Sequence, residues 1–262
     1  MIKRELIEFV GAMNMEGVAI PVSPTPPNTA GSPDFSLEEL ADCFSINGVQ
    51  YRDGMHKVDL AKTLLNEATQ DVHIAQAIQA QQSSQFYAPD APLSYSIPKT
   101  LFKNKDNSQY REAIERARAF LQEMFEKRYL MTLTRIQYKK EGKDTVIHNP
   151  SMPDQDTFQE NIVGQDGYIA RASNKAKPLK AIFRTDDSVH EINSVFKWIS
   201  GKDTYICRLN SKPSQDTERI VRLSADPDGF GVDCYGVSLI SRPASGVRFT
   251  RLRVAPQNIG KK

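Results

Sequence analysis

The chain is poor in the features that most readily betray a function. It has three cysteines in 262 residues, Cys43, Cys207 and Cys234, and no CxxC pair. An odd, sparse set is not a disulfide framework, and without a paired spacing it makes neither a zinc ribbon nor a redox motif. The expected reading is small reduced hydrophobes, with Cys207 and Cys234 in strand-like runs that can meet across a sheet. Long apolar runs are missing too. No window approaches the roughly 18 unbroken apolar residues of a membrane-spanning helix. Charges interrupt the start, Met1-Ile-Lys-Arg-Glu-Leu-Ile-Glu-Phe-Val10, so it does not read as a signal peptide. These absences lead to the expectation of a soluble, cytoplasmic protein.

HExxH, GxSxG, Walker A and GxGxxG are likewise missing. The four histidines, His56, His73, His148 and His190, are far apart in sequence. His148 stands beside Asn149-Pro150 at a strand end, where loops often present functional groups. Asp226-Pro-Asp228-Gly-Phe-Gly-Val-Asp233 supplies three carboxylates around two glycines. Hard cations take oxygen ligands of this kind, but the spacing is not that of an EF-hand loop, and Asp-Pro-Asp-Gly is an ordinary turn. No metal and no cofactor is therefore assigned.

What the chain does contain is an ordinary globular balance, 39% apolar and 25% charged, which argues against wholesale disorder. Its net charge of +2 is unevenly spread. Residues 1–98 hold 5 Lys/Arg against 12 Asp/Glu, a balance of −7, while residues 99–262 hold 29 against 20, a balance of +9. Two acid-free stretches stand out. Tyr168–Thr185 carries Arg171, Lys175, Lys177, Lys180 and Arg184, and Tyr235–Lys262 carries Arg242, Arg248, Arg251, Arg253, Lys261 and Lys262. Lys and Arg clusters of this kind suit phosphates or carboxylates, with Tyr235 and Phe249 available for stacking. They equally suit intramolecular pairing with the acidic front half.

Periodicity predicts a short amphipathic helix over residues 2–13, then a linker arm over 20–33 with five prolines in fourteen residues. Ser36-Leu-Glu-Glu39 fits a capping box and predicts a helix from Ser36 to about Phe44. Asp59 is expected to cap a helix through about Gln82, with Leu60, Leu64, Ala68, Val72, Ala75 and Ile78 on its buried face. Residues 86–100, with three prolines, read as loop. The helix expected over Gln109–Arg128 buries Ile114, Ala117, Leu121, Met124 and Phe125. β-forming residues then predict a hairpin from Leu130–Tyr138 and Thr145–His148. A helix capped at Asp186 or Asp187 and ended by Gly201 follows, then strands over Tyr205–Leu209, Arg219–Leu223, Gly231–Tyr235 and Val247–Val254, the last switching its buried face near Thr250.

The class is therefore α+β, a helical N-terminal half packed against a mostly antiparallel or mixed β-rich C-terminal half. The division runs as an arm over 1–34, a helical region over 35–129, a β-rich region over 130–256 with one inserted helix, and a basic tail over 257–262. The functional expectation is a non-enzymatic binding or interaction protein. Its basic back half contacts another protein or an anionic polymer, nucleic acid among them. Arg248, Arg251, Arg253, Lys175, Lys177 and Lys180 are the candidate anion-binding residues. The alternative is a hydrolase-type enzyme joining His148 to carboxylates of the 226–233 loop. Gly246-Val-Arg248 resembles the last strand of lectin-like folds, which implies a ligand-binding module and assigns no residue a role.

Overall fold

The computed structural model describes residues 34–249 apart from 82 and 172–174. The predicted helix over 2–13, the proline-rich arm, Arg251, Arg253 and the face switch near Thr250 lie outside the described residues.

The chain is a mixed α+β protein, but its first described elements are strands. Strand β1 (Ser36–Glu39) pairs antiparallel with β2 (Cys43–Tyr51), which pairs with β3 (Gly54–Ala61). The final strand, β13 (Val247–Phe249), closes the other edge of this four-stranded sheet. The helix expected over Ser36–Phe44 is therefore not formed. Phe35 and Leu37 are buried two residues apart and Glu38 is exposed, an alternation that suits one buried sheet face. Asp59 does not cap a helix either. It lies inside β3, where its carboxylate accepts from Ser45 Oγ at 2.6 Å. Four-residue β4 (Leu65–Ala68) follows, and helix α1 begins only at Gln70, running to Ala80. Its buried residues are Gln70, His73, Ile74, Ala77 and Ala80, so the expected face was rotated: Val72 and Ile78 are exposed.

Residues 86–100 are not loop throughout. Asp90 caps α2 (Ala91–Lys103) by accepting from the Leu93 N–H at 2.9 Å. Pro92 occupies the first turn, where no backbone donor is required, and only Pro98 lies inside the helix. Helix α3 (Arg111–Lys127) buries the five residues its periodicity marks.

Beyond α3 the chain builds a seven-stranded sheet from β5 (Leu130–Tyr138), β6 (Asp144–His148), β7 (Asp156–Glu160), β8 (Gly167–Tyr168), β9 (Thr204–Cys207), β10 (Thr217–Asp226) and β11 (Gly229–Gly236). Their order is β7-β6-β5-β10-β11-β9-β8, antiparallel except for the parallel β11–β9 pair. Helices α4 (Ala176–Phe183) and α5 (Val189–Ser200) lie between β8 and β9 in sequence. Ser188 and Glu191 form a complete capping box on α5, one residue beyond the expected cap, and Gly201 ends it in the left-handed region at φ 74°. A three-residue strand, β12 (Arg242–Ala244), pairs with β4.

Buried apolar side chains from Phe35 to Val247 form one continuous cluster, so the portions before and after residue 130 share a core. Val221, Leu223 and Ala225 of β10 and Phe230, Val232 and Cys234 of β11 enter it from one sheet face. Phe196 of α5 stacks on Phe230 with centroids 4.1 Å apart and also meets Tyr95 and Phe183. On the other face, Leu133 packs with Ile74 and Ala77 of α1, Met152 and Ala244. The polar residues of β9, β10 and β11 occupy the remainder of that second face.

Phe196 is wholly buried at the meeting of three aromatic rings. Phe196→Ala should therefore cost about 3–5 kcal/mol in urea unfolding, transfer and cavity contributions together. A loss below about 1 kcal/mol would show that the cluster collapses around the gap and is not the rigid centre of the core.

Candidate functional site

Strand alternation creates an open concavity. With Val221, Leu223 and Ala225 turned to the helices, Arg222, Ser224 and Asp226 face the other way, as do Gly231, Asp233 and Tyr235 of β11 and Cys207 of β9. These residues line an open groove of about 750 Å³. Its sides are supplied by Tyr129, Asp166, the segment 208–211 and Arg242.

Three arginines and three aspartates surround this space, and most are already engaged. Arg222 Nε donates to Asp233 Oδ2 at 3.0 Å, its Nη2 contacts the same oxygen, and its guanidinium lies over the Tyr129 ring. Tyr129 Oη donates to Asp226 Oδ2 at 3.1 Å. The Arg208 guanidinium is nearly buried and donates to the carbonyls of Ile162 and Gln165. Like Arg208, Arg242 forms no ion pair with a carboxylate of the described residues, but its buried Nε, unlike those of Arg208 and Arg222, has no acceptor. Ser224, only 2% exposed, also has a hydroxyl without a partner. Gly231 stands opposite it, and a Cβ there would lie 3.2 Å from Ser224 Oγ.

The groove is equipped for hydrogen bonding and ion pairing. Partial burial, with the nearby Asp233 and Asp166 carboxylates, pushes the Cys207 thiol up to about 11, so it stays protonated at neutral pH. None of the lining residues is a histidine. Cys207 and Cys234 do not bridge. Cys207 stands in register with Asp233, so Cys234, next in sequence, points to the opposite face, and both are free thiols.

The residues singled out from the sequence fall elsewhere. Arg248 Nε and Nη2 donate to Asp59 at 3.0 and 2.8 Å, Nη1 donates to Ser84 O, and the guanidinium lies over Phe86. Lys175 is buried, donates to Tyr168 O at 3.0 Å, and has its pKa lowered by desolvation and the neighbouring Arg208 charge. Lys177 is exposed and Lys180 half-buried, both on α4, which packs against α2 and β7, whereas Arg248 belongs to β13 on the four-stranded sheet. Lys177 and Lys180 thus belong to a different element from Arg248. Among the described residues no group of three side chains is placed to hold a metal ion, and Asp233 is turned toward Arg222.

His148 is wholly buried and touches no carboxylate of the 226–233 loop among the described hydrogen bonds. Its Nδ1 lies 2.9 Å from Thr134 Oγ1 and its Nε2 3.1 Å from Ala181 O. A carbonyl only accepts, so Nε2 carries the proton and Nδ1 accepts from the Thr134 hydroxyl. Thr134 Oγ1 in turn accepts from the Ala91 N–H at 2.9 Å. The neutral ring is fully satisfied, and burial lowers its pKa to about 4. The adjoining Asp90 has the opposite perturbation. Its buried carboxyl is raised to about 6 by desolvation, although Leu93 N–H, Tyr51 Oη at 2.7 Å and the Arg52 charge all favour the anion. Arg52, Asn149 and Ser151 around it have φ of 53°, 50° and 65°, a concentration of strained backbone held by the surrounding contacts.

The chain matches no family model, no curated protein and no solved structure. The groove was partly legible in sequence: Arg222-Leu-Ser-Ala-Asp226 and Gly231-Val-Asp-Cys-Tyr235 alternate polar with apolar residues, and Arg242 belongs to an acid-free run. Which arginine lacks a partner depends on tertiary pairing alone.

Asp90 and His148 should oppose each other in the pH dependence of stability. Asp90 retains its proton in the folded chain from its ordinary 3.8 up to about 6, so its contribution falls as pH rises through that window. His148 resists protonation in the folded chain between its ordinary 6.5 and about 4, so its contribution rises with pH there. Relative to the wild type, Asp90→Asn should steepen the gain in stability from pH 4 to 6, and His148→Gln should reduce it. Urea unfolding at several pH values checks this; equal slopes in all three proteins would refute it.

Proposed function

We propose that this chain is a non-enzymatic binding protein whose groove over β9, β10 and β11 receives a carboxylate- or phosphate-bearing group of its partner. The observation that carries this reading is Arg242. Among the described residues it is the groove arginine whose Nε–H has no acceptor, whereas those of Arg208 and Arg222 go to Gln165 O and Asp233. A buried donor left unmade costs free energy, on the order of 1–3 kcal/mol, which an incoming anion recovers. The unpartnered Ser224 hydroxyl lies on the same groove and can donate to the same group. Arginine suits the task because its planar fork binds a carboxylate or phosphate with two parallel bonds.

This keeps the anionic partner expected from the basic back half but moves the contact away from Arg248, whose guanidinium is occupied by Asp59. A long polyanion fits less well than a discrete anionic group, since Asp166, Asp226 and Asp233 also line the space.

Glutarate and inorganic phosphate titrations, followed by NMR at the arginine Nε–H groups, test the reading. A saturable shift of the Arg242 Nε–H is expected, with Arg242→Gln weakening binding about tenfold or more and Ser224→Ala by less. No shift in a folded protein at tens of millimolar anion would remove Arg242 as an anchor.

A further inference from the structure

Nine large apolar side chains are exposed among the described residues; two of them, Tyr129 and Tyr235, line this groove, and three more, Val237, Leu239 and Ile240, fall between Tyr235 and Arg242 in the chain. The last three lie in the turn segment that leaves the groove at Tyr235 and returns to it at Arg242, here called its rim. The Ile240 N–H donates to Val237 O at 3.3 Å, and Leu239, within this turn, is 79% exposed. Apolar exposure concentrated in one short segment that ends at Arg242 is unlike the scattered single residues of an ordinary surface.

We infer that groove and rim together take an extended segment of a partner protein, one bearing a carboxylate side chain flanked by aliphatic or aromatic residues. The inference rests on the anion-binding reading of Arg242 and adds the nature of the partner. Size is the first argument: about 750 Å³ is far more than one carboxylate fills and lies in the range that holds a ligand of several residues. Charge is the second. Arg208, Arg222 and Arg242 face Asp166, Asp226 and Asp233, so the lining sums to zero. A polyphosphate backbone would meet three carboxylates, whereas a peptide brings N–H donors and carbonyl acceptors of its own. Complementarity is the third. A carboxylate at Arg242 leaves the neighbouring side chains of an extended segment beside Leu239 and Ile240, where burying both partners' apolar surface adds affinity.

Selection of a displayed random heptapeptide library on the full chain is the test, followed by fluorescence anisotropy of enriched peptides. The expected result is a consensus pairing Asp or Glu with aliphatic or aromatic residues. Binding should weaken at least tenfold in Arg242→Gln and also in the double variant Leu239→Ser, Ile240→Ser. The rim variant should still show the glutarate shift at the Arg242 Nε–H, which separates the two readings. If glutarate binds but no acidic–apolar sequence is enriched, the peptide inference falls and the anion site stands. If neither binds, the Arg242 reading itself has failed. Light scattering that shows self-association abolished by the rim variant would assign the surface to a second copy of this chain, and Arg242-dependent binding of labelled single-stranded DNA would assign it to nucleic acid; either overturns the proposal.

Discussion

Much of the architecture turns on one buried carboxylate. Asp90 begins α2, and its two oxygens are shared between the Leu93 N–H and the hydroxyl of Tyr51 at the end of β2. Arg52, next along the hairpin, approaches the same carboxylate and also Asp154, while Asn149 Nδ2 donates to Asp154 and to Tyr51 Oη. Three separate segments, the β2–β3 hairpin, the start of α2 and the loop after β6, are thus held at one point. A charge in such a place is costly unless each lone pair is occupied, which makes the surrounding geometry exacting. Two left-handed residues belong to this network: Arg52 approaches the Asp90 carboxylate, and Asn149 reaches Tyr51 Oη and Asp154, so local backbone strain coincides with these contacts.

The groove is a by-product of how the larger sheet is covered. Helices α3 and α5 take one face, and α1 with β12 covers the other only over β5. Among the described residues no helix packs closely on the rest of that second face, and alternation along β10 and β11 makes it polar. A register shift between Ile220 and Arg222 keeps Arg222 opposite Asp233, so the floor is laid down with its charges mostly matched. Arg242 arrives from outside this sheet, on the small β4–β12 pair, and for that reason falls beyond the matching.

Legibility in the sequence followed the strength of the local period. Helix α3, the β5–β6 hairpin, α5 with its glycine stop, and strands β10 and β11 all carry an unambiguous repeat, and the structure contains them within a few residues of the expected bounds. The front of the chain did not read so well. Ser36-Leu-Glu-Glu39 satisfies a capping box, yet pairing with Phe44–Asn47 outweighs the local preference. Prolines 92 and 98 suggested loop, although a proline in the first turn is compatible with a helix once Asp90 is recognised as the cap. At the level of the site, composition located the basic residues but not their partners. Arg248 pairs with an aspartate 189 residues away, a relation no local pattern contains, and Arg242 stands out only because its buried Nε has no acceptor among the described residues.

That same pairing has a bearing on how the protein is made. The sheet begun by residues 36–61 has its outer edge completed by Val247–Phe249, and the salt bridge across that edge joins Asp59 to Arg248. On a ribosome the first strands emerge long before the last one, so the earliest sheet must wait with an open edge until almost the whole described chain has appeared. Loop closure over such a distance raises contact order and slows the final step of assembly. The nascent chain therefore passes through a stage in which β3 offers an unpaired row of backbone groups, and it is in this interval, rather than in the finished fold, that the protein is most exposed to mispairing with its neighbours.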